Sequence, residues 1–165
     1  MPVRSQGHFK PPGAHDRDPA SLQLVGAFTP VEVHVPTALA ANLSAAGQPI
    51  PPPITGLALI DTGATFTGLD NQVAQSLRLN PINVVKLGTA DGVVQANAYT
   101  ARLEFPTLGI DADPWQTVGV DLGGQTIQTD ANRPPQDVIA LVGRDYLQHC
   151  LLIWNGPNGS WTIAY

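Results

Sequence analysis

A single acid, Asp61, stands at the end of a strongly apolar stretch of the chain. Residues 57–60 (Leu-Ala-Leu-Ile) suit a buried strand, and a hydroxyl residue, Thr62, and a glycine, Gly63, follow the acid directly. Strand interiors avoid aspartate, because taking an unpaired carboxylate out of water is costly. Gly63 allows the backbone to turn sharply and to approach another group closely. The pattern predicts a catalytic aspartate that is presented on a tight loop.

The second feature is a glycine-bounded hairpin. Two strand-like runs, residues 84–87 and 93–105, flank a connection of small residues. The connection consists of Gly88, Thr89, Ala90, Asp91 and Gly92. Asp91-Gly92 taken alone indicates an ordinary turn, whereas glycines at both ends are typical of a hairpin tip that is free to move.

The third feature is another apolar strand that ends in polar residues. Residues 138–142 are continuously apolar and lead into Gly143, Arg144 and Asp145, after which residues 146–150 suit a helix of one to two turns.

The remaining patterns supply the elements that must position these loops. They predict strands at residues 30–36, 54–60, 116–121 and 126–129, a loop over residues 38–53, a short helix capped by Asp70, and a terminal hairpin over residues 151–165. The 16 Gly and 16 Pro residues break the chain into short pieces, which favours an all-β fold over long helices.

Length and composition limit the domain organisation. A chain of 165 residues forms one domain with a sizeable core. Residues 1–22 are polar and Pro-rich, without an apolar period, and we interpret them as a flexible tail before a domain at residues 23–165. His8 and His15 lie in this tail, where solvated side chains are expected rather than metal ligands.

Several classes of protein are disfavoured by the charge and by the single cysteine. The net charge is -5, and no Lys/Arg run interleaved with aromatic residues is present, so nucleic-acid binding is not expected. Cys150 is the only cysteine, which excludes an intrachain disulfide and a cysteine zinc cluster, and we expect a buried, inert thiol. Without an apolar signal-peptide core or a membrane-spanning run, a cytoplasmic location is expected.

In this order and at this spacing, the three features resemble the retropepsin-like aspartic proteases, in particular cellular and bacterial members. Residues 59–64 look like the catalytic loop, residues 87–94 like the flap hairpin, and residues 140–145 like the segment beneath the loop. An Asp-Thr-Gly tripeptide alone is a weak signal, but the three motifs together are specific. The resemblance implies an all-β, closed β-barrel or sandwich with a flap hairpin and one or two short helices.

The resemblance also implies an activity and roles for individual residues. A single Asp-Thr-Gly gives half a site, so a homodimer would bring two Asp61 carboxylates together to cleave an extended peptide without metal or cofactor. Thr62 would hydrogen-bond across the axis, and Gly63 and Ala64 would complete the loop. The flap residues are Leu87, Gly88, Thr89, Ala90, Asp91, Gly92 and Val93. Pepstatin-type inhibitors are expected to bind.

Some positions refine or depart from the family pattern. Retroviral members often carry an acid at the position of Thr65, which pairs with the arginine equivalent to Arg144. Here Arg144 needs another partner, either a backbone carbonyl or an acid on either chain, and Val142, Gly143 and Arg144 are given a structural role. Ala64 has no hydroxyl to bond the carboxylate, which implies a less acidic working range than for pepsin-like sequences.

Two alternatives use the same residues differently. Actin-like ATPases and sugar kinases also place Asp-x-Gly-small-Thr after an apolar strand, but they need a duplicated domain longer than this chain. The stronger alternative is a catalytically silent retropepsin-like dimer that binds or scaffolds peptides. The complete Asp-Thr-Gly-Ala sequence favours the enzyme, because a binding module gains nothing from two acids held together.

Overall fold

The computed structural model describes residues 3–7, 20–89, 92–129 and 132–164. Its strands are β1 Val3–Gly7, β2 Phe28–His34, β3 Ile54–Ile60, β4 Gly68–Asp70, β5 Asn83–Thr89, β6 Gly92–Phe105, β7 Ile110–Val120, β8 Thr126–Ile127, β9 Gln136–Val142, β10 Leu151–Asn155 and β11 Ser160–Ala164. Its α-helices are α1 Ala20–Leu24, α2 Thr37–Ala45, α3 Asn71–Ser76 and α4 Arg144–Leu147, and a 3-10 turn covers Gly156–Asn158.

Six strands close into a barrel. Strands β2, β3, β9, β4, β7 and β6 pair in that order, and β6 then returns to β2 through the pairs Glu32–Glu104 and His34–Arg102. Strand β5 lies outside this ring and pairs only with β6 among the described strands. The prediction of an all-β closed barrel is confirmed.

The barrel closes around side chains that the sequence pattern places inside. On β2, Val31 and Val33 are buried while the alternate residues Glu32 and His34 are partly exposed, as expected for a strand with one face in the core. Leu103 and Phe105 on β6 complete this part of the core. Burial of these apolar side chains supplies the main favourable contribution to folding.

The parallel pairing of β3 with β9 brings two of the sequence motifs together. Ile60 is the register partner of Val142, so the two strands end side by side. Asp61 follows one strand and Gly143 follows the other, and the amide of Asp61 donates to the carbonyl of Val142 at 3.0 Å. Near-continuous apolar sequences suit this pair, because parallel strands are covered on both faces.

A second sheet is formed by the two ends of the chain in the order β1, β11, β10. The prediction that residues 1–22 form a tail is wrong for Val3–Gly7, which pairs with β11, and for Ala20 onward, where α1 begins. This pairing is long-range, and a single short polar strand gives no periodic signal. His8 and His15 lie outside the described residues.

The loop predicted over residues 38–53 is also wrong in its first half, where α2 forms. This helix contains no buried residue, so it lacks the apolar stripe by which helices are recognised in a sequence. Its alanine and leucine content favours helix intrinsically, and the Asp113 carboxylate accepts a hydrogen bond from the amide of Thr37 at 3.3 Å. The described helices therefore outnumber the one or two expected.

Other local predictions hold. The carboxylate of Asp70 accepts from the amide of Gln72 at 2.8 Å and caps α3, as predicted. The terminal hairpin forms as β10 and β11, and the strand expected at residues 116–121 is the end of the longer β7. Among the described residues, the helices are all too short to cross a bilayer.

Candidate active site

The Asp61 side chain is held in place by its own loop. Oδ1 accepts hydrogen bonds from the amide of Gly63 at 2.8 Å and the amide of Ala64 at 3.3 Å, so the carboxylate caps the turn that follows it. A Cβ at position 63 would lie 3.0 Å from the same oxygen, which is a tight contact, so glycine fits best at this position. Asp61 is partly buried, whereas Thr62 and Gly63 are exposed. The aspartate is thus fixed in orientation and open on one side.

Arg144 lies against the back of this loop. Its Nη1 donates to the carbonyl of Thr62 at 3.1 Å, and its Nη2 donates to the hydroxyl of Thr65 at 2.9 Å. The amide of Arg144 also donates to the carbonyl of Ala64 at 3.0 Å. Of the two partners left open by the sequence, a backbone carbonyl is the one observed in the described residues, together with the hydroxyl that replaces the acid.

Gly143 and Thr67 fix the next layer behind the loop. A Cβ at Gly143 would lie 2.8 Å from the amide nitrogen of Thr67 and closer still to the carbonyl group of Phe66, so only glycine fits. The amide of Gly143 donates to the buried hydroxyl of Thr67 at 3.2 Å, and that hydroxyl donates to Asp145 at 2.8 Å. Thr67 was not singled out from the sequence, since a lone threonine six residues past the acid carries no periodic signal.

The hairpin that the sequence predicts as a flap is formed by β5 and β6. Leu87 pairs with Val94, Gly88 with Val93 and Thr89 with Gly92, and the Thr89 hydroxyl donates to the carbonyl of Gly92 at 3.0 Å. Gly92 has φ +127°, a conformation that other residues rarely adopt. Ala90 and Asp91, at the predicted tip, lie outside the described residues.

A cavity of about 550 Å³ separates the Asp61 loop from strand β5. We call it the main cleft. It is lined by Asp61, Gly63, Ala64, Thr65 and Phe66 from the loop, by Lys86, Leu87, Gly88 and Thr89 from β5, and by Val118, Val120 and Leu141 from the barrel. The structure therefore brings all three predicted motifs to one space, because Leu141 of the third motif lines it while Arg144 of the same motif lies behind the loop. Phe66, Lys86 and the barrel valines were missed, because cavity walls depend on tertiary packing.

Among the described residues, three acid-base groups outside the main cleft have shifted pKa values. The bidentate hydrogen bonds from Arg102 lower the pKa of Asp111, whose oxygens lie 2.9 and 2.7 Å from the guanidinium, and raise the pKa of Arg102 in turn. Burial raises the pKa of the Cys150 thiol, which contacts the carbonyl of Tyr146 at 3.8 Å. Partial burial and a raised pKa fit the expected unreactive thiol.

One group of side chains could supply metal ligands, and it is remote from the main cleft. Ligand atoms of Glu32, His34 and Glu104 lie within 4.8 Å of one another on the β2–β6 seam. Arg102 already places a cation there, with Nη2 3.6 Å from the carboxylate of Glu104. This arrangement fits a surface network of charges that compensate one another.

Comparison with known proteins identifies a family. The family model described as aspartyl protease matches residues 41–125, just over half of the chain, and the matched span contains the Asp61 loop and the β5–β6 hairpin tip. The resemblance inferred from the motifs is thereby confirmed. A phosphoglycerate kinase from Prosthecochloris aestuarii is 29% identical over 79 residues, which are 48% of this chain and 17% of that protein. The chain thus spans less than a fifth of that curated relative.

Two solved structures are also similar to the chain. A retropepsin-like aspartic protease from Rickettsia conorii is 14% identical with a TM-score of 0.46, and the match covers 98% of this chain and 90% of that one. The retroviral protease-like domain of Ddi1 from Leishmania major is 12% identical with a TM-score of 0.38, and the match covers 78% and 81% of the two chains.

Proposed function

The chain belongs to the aspartyl protease family, and on that premise we propose that it is an aspartic endopeptidase that cleaves extended peptides. The observation that carries the proposal is the position of Asp61, whose carboxylate is held by two loop amides at the edge of the main cleft. A carboxylate fixed in orientation and open to a peptide-sized cleft is suited to acid-base catalysis.

The proposed catalyst is a homodimer, because one chain carries a single Asp-Thr-Gly. A two-fold axis beside Asp61 would pair two copies of the acid, and the exposed Thr62 and Gly63 would face the partner loop. Repulsion between two carboxylates at hydrogen-bond distance disfavours the state in which both are ionised, so the two share one proton. The pair then contains one base and one acid.

The dimer interface that we propose is the terminal hairpin. Strand β10 is an edge strand that pairs only with β11 among the described residues. It exposes Leu151 and Ile153 at 48% each and Trp154 at 51%. Apolar side chains on an unpaired edge favour association with another chain. A second copy of the same hairpin offers the complementary edge and apolar face.

The chemistry proposed for this pair needs only a water molecule and the peptide. The ionised Asp61 removes a proton from water while the water oxygen forms a bond to the scissile carbonyl carbon. The protonated Asp61 of the other chain gives its proton to the carbonyl oxygen, which yields a tetrahedral diol. A proton then passes to the amide nitrogen, the carbon–nitrogen bond breaks, and an acid and an amine leave.

The peptide is proposed to lie as an added strand between the flap and the floor of the main cleft. Leu87 and Gly88 on β5 line the cleft opposite the catalytic loop, so the flap backbone is available for hydrogen bonds to an extended chain. Gly92 with its positive φ gives the hairpin a point about which it can bend. Opening would admit the peptide, and closing would exclude water from the reacting bond.

The test is an Asp61→Asn variant assayed against a diverse peptide library by mass spectrometry. We expect cleavage by the native chain, inhibition by a pepstatin-type compound, and loss of cleavage in the variant by at least about a thousandfold. Asp137→Asn is the control, because Asp137 is an exposed acid that does not line the main cleft. Thermal unfolding and solution mass should be unchanged in both variants.

Two outcomes contradict the proposal. Cleavage that survives in Asp61→Asn would remove this residue from catalysis. A native chain that binds library peptides as a dimer but cleaves none of them, under any pH between 3 and 8 as a rough range, would instead support the silent binding module.

A further inference from the structure

A second pocket of about 360 Å³ adjoins the main cleft. We call it the side pocket. It is lined by Phe66, Val85, Pro114, Trp115, Gln116, Val118 and Asp145. Phe66 and Val118 line both spaces, so the two are neighbours. The volume is close to the lower end of small-ligand pockets, about 300 Å³, and has room for one long side chain.

Asp145 is the one charged residue among those that line the side pocket. Its Oδ1 accepts from the hydroxyl of Thr67 at 2.8 Å and from the amide of Tyr146 at 2.9 Å, which fixes the carboxylate. In the described part of the chain no cation pairs with it, because the neighbouring Arg144 points to the catalytic loop. The second oxygen, Oδ2, therefore remains available to a ligand.

The other walls suit the stem of a long cationic side chain. Trp115 is held edge-on against Tyr146 with ring centroids 4.9 Å apart, so it forms a rigid aromatic wall. Phe66 and Val85 add apolar surface. Lysine and arginine bury their methylene stems on such surfaces while their charged ends meet a carboxylate or an aromatic face.

The distribution of charge separates the two spaces. Lys86 lines the main cleft and not the side pocket, so a cation is disfavoured beside Lys86 and favoured beside Asp145. On β5, Val85 and Leu87 share one partly buried face, and Val85 lines the side pocket while Leu87 lines the main cleft. An extended peptide along β5 presents alternate residues to one side, so neighbouring pockets take residues two positions apart.

We propose that the side pocket is a specificity site for a lysine or arginine side chain of the peptide. This rests on the proposed endopeptidase function. The cationic residue occupies the side pocket with its charge at Asp145 Oδ2, two positions along the peptide from the residue that packs against Leu87. Asp145 is thus a specificity-determining residue and not a catalytic one.

The proposal is tested by binding as well as by cleavage, so that its failure is separable from failure of the proposed function. In the Asp61→Asn background, fluorescence anisotropy compares matched peptides that carry arginine, lysine, glutamine or norleucine at each position in turn. We expect the cationic peptides to bind about tenfold more tightly at one position only. In the native chain, kcat/KM should depend most strongly on the residue at this same peptide position.

Asp145→Asn removes the charge and keeps an oxygen that can accept from Thr67 and Tyr146. It should lower the ratio of arginine to norleucine binding to about one. Because this change could disturb the packing behind the loop, Gln116→Lys gives an independent test: it adds a cation in the side pocket and leaves Asp145 in place. Gln116→Lys should lower the ratio of arginine to norleucine binding as much as Asp145→Asn does. Asp137→Asn removes an exposed acid that lines neither space and should keep the native ratio.

Equal binding of arginine and norleucine at every position in the Asp61→Asn protein would overturn the side-pocket proposal, even if cleavage occurs. If both Asp145→Asn and Gln116→Lys keep the native ratio of arginine to norleucine binding, the preference for a cation arises outside the side pocket. That result would also overturn the proposal. Positional preference in binding without any cleavage by the native chain would support the side pocket and contradict only the endopeptidase activity.

Discussion

The guanidinium of Arg144 donates to the hydroxyl of Thr65, with Nη2 and Oγ1 2.9 Å apart, and through Nη1 to the carbonyl of Thr62. These contacts join the two ends of the catalytic loop from behind. A carboxylate at position 65 would form an ion pair with the arginine, whereas the threonine hydroxyl is an uncharged acceptor, and backbone carbonyls accept from the same guanidinium. The loop is therefore held chiefly by the geometry of one planar donor group.

The first prediction concerns this arginine. Arg144→Ala should lower kcat about tenfold to a hundredfold, because loss of these bonds lets the Asp61 loop shift, and should lower the free energy of unfolding by about 1–2 kcal/mol. Arg144→Lys should recover part of the stability and little of the rate, since an ammonium cannot reproduce the planar fork. Peptide cleavage and urea unfolding measure the two effects.

Arg102→Ala is the control for this prediction. Arg102 also forms a bidentate pair, but on the barrel surface with Asp111. Arg102→Ala should leave kcat unchanged within about twofold. Loss of this exposed ion pair should lower the free energy of unfolding by only ~0–1 kcal/mol. Equal loss of activity in both arginine variants would show that the effect is general destabilisation.

The second prediction concerns the close approach at Gly143. Gly143→Ala places a methyl group against the backbone of Phe66 and Thr67, which cannot move aside as a flexible side chain could. We expect a loss of about 1–3 kcal/mol or more in the free energy of unfolding, seen as a lower urea midpoint with an unchanged slope. Gly156→Ala is the control, because its added Cβ would meet nothing within 4 Å.

The central part of the fold could be predicted because short stretches of the sequence carry its signals. Residues 57–60 and 138–142 are apolar throughout, which is typical of strands covered on both faces, and they lie in β3 and β9. Asp61 and Arg144 follow these strands, so their proximity could be expected once the strands paired. The cap at Asp70 was recognisable from the short polar side chain before an apolar helix.

The parts that were missed depend on tertiary packing. Helix α2 has no buried side chain, so no apolar period marked it. Strand β1 forms only because β11, more than a hundred residues later, offers an edge. Phe66 and Trp115 have apolar side chains of the kind that fill cores, and only the folded chain shows that they line a cleft and a side pocket.

The third prediction uses the shifted pKa of Asp111. The hydrogen bonds from Arg102 hold this pKa below its ordinary value, so the carboxylate contributes stability above the unfolded-state pKa, about 3.9, and loses it as the pH falls through the folded-state pKa. Native and Asp111→Asn chains should differ by less than about 1 kcal/mol near pH 7, because the pair is exposed. The difference should shrink as the pH falls through the folded-state pKa of Asp111. A difference that grows on acidification would contradict this assignment.

The fourth prediction concerns Ala64, whose amide lies 3.3 Å from Oδ1 of Asp61. A serine there could add a hydroxyl donor to the ionised carboxylate and favour that form. The acidic limb of the pH–rate profile of Ala64→Ser should therefore move to lower pH than in the native chain. Ala64→Cys is the control of similar size, because a thiol is a weak donor. A native profile that peaks well below about pH 4 would contradict the interpretation of this position.

The fifth prediction concerns the proposed interface on β10. Ile153→Lys replaces an exposed apolar side chain on the edge strand by a charge, and it should raise the dimer dissociation constant at least about tenfold. Asn155→Lys adds the same charge two residues along the same strand without removing an apolar contact, so it should change dimerisation less. Sedimentation equilibrium measures the masses, and specific activity should fall on dilution in step with dissociation.

An Ile153→Lys chain that stays dimeric would exclude this hairpin as the interface, and a monomer that retains full activity would contradict the paired Asp61 site itself.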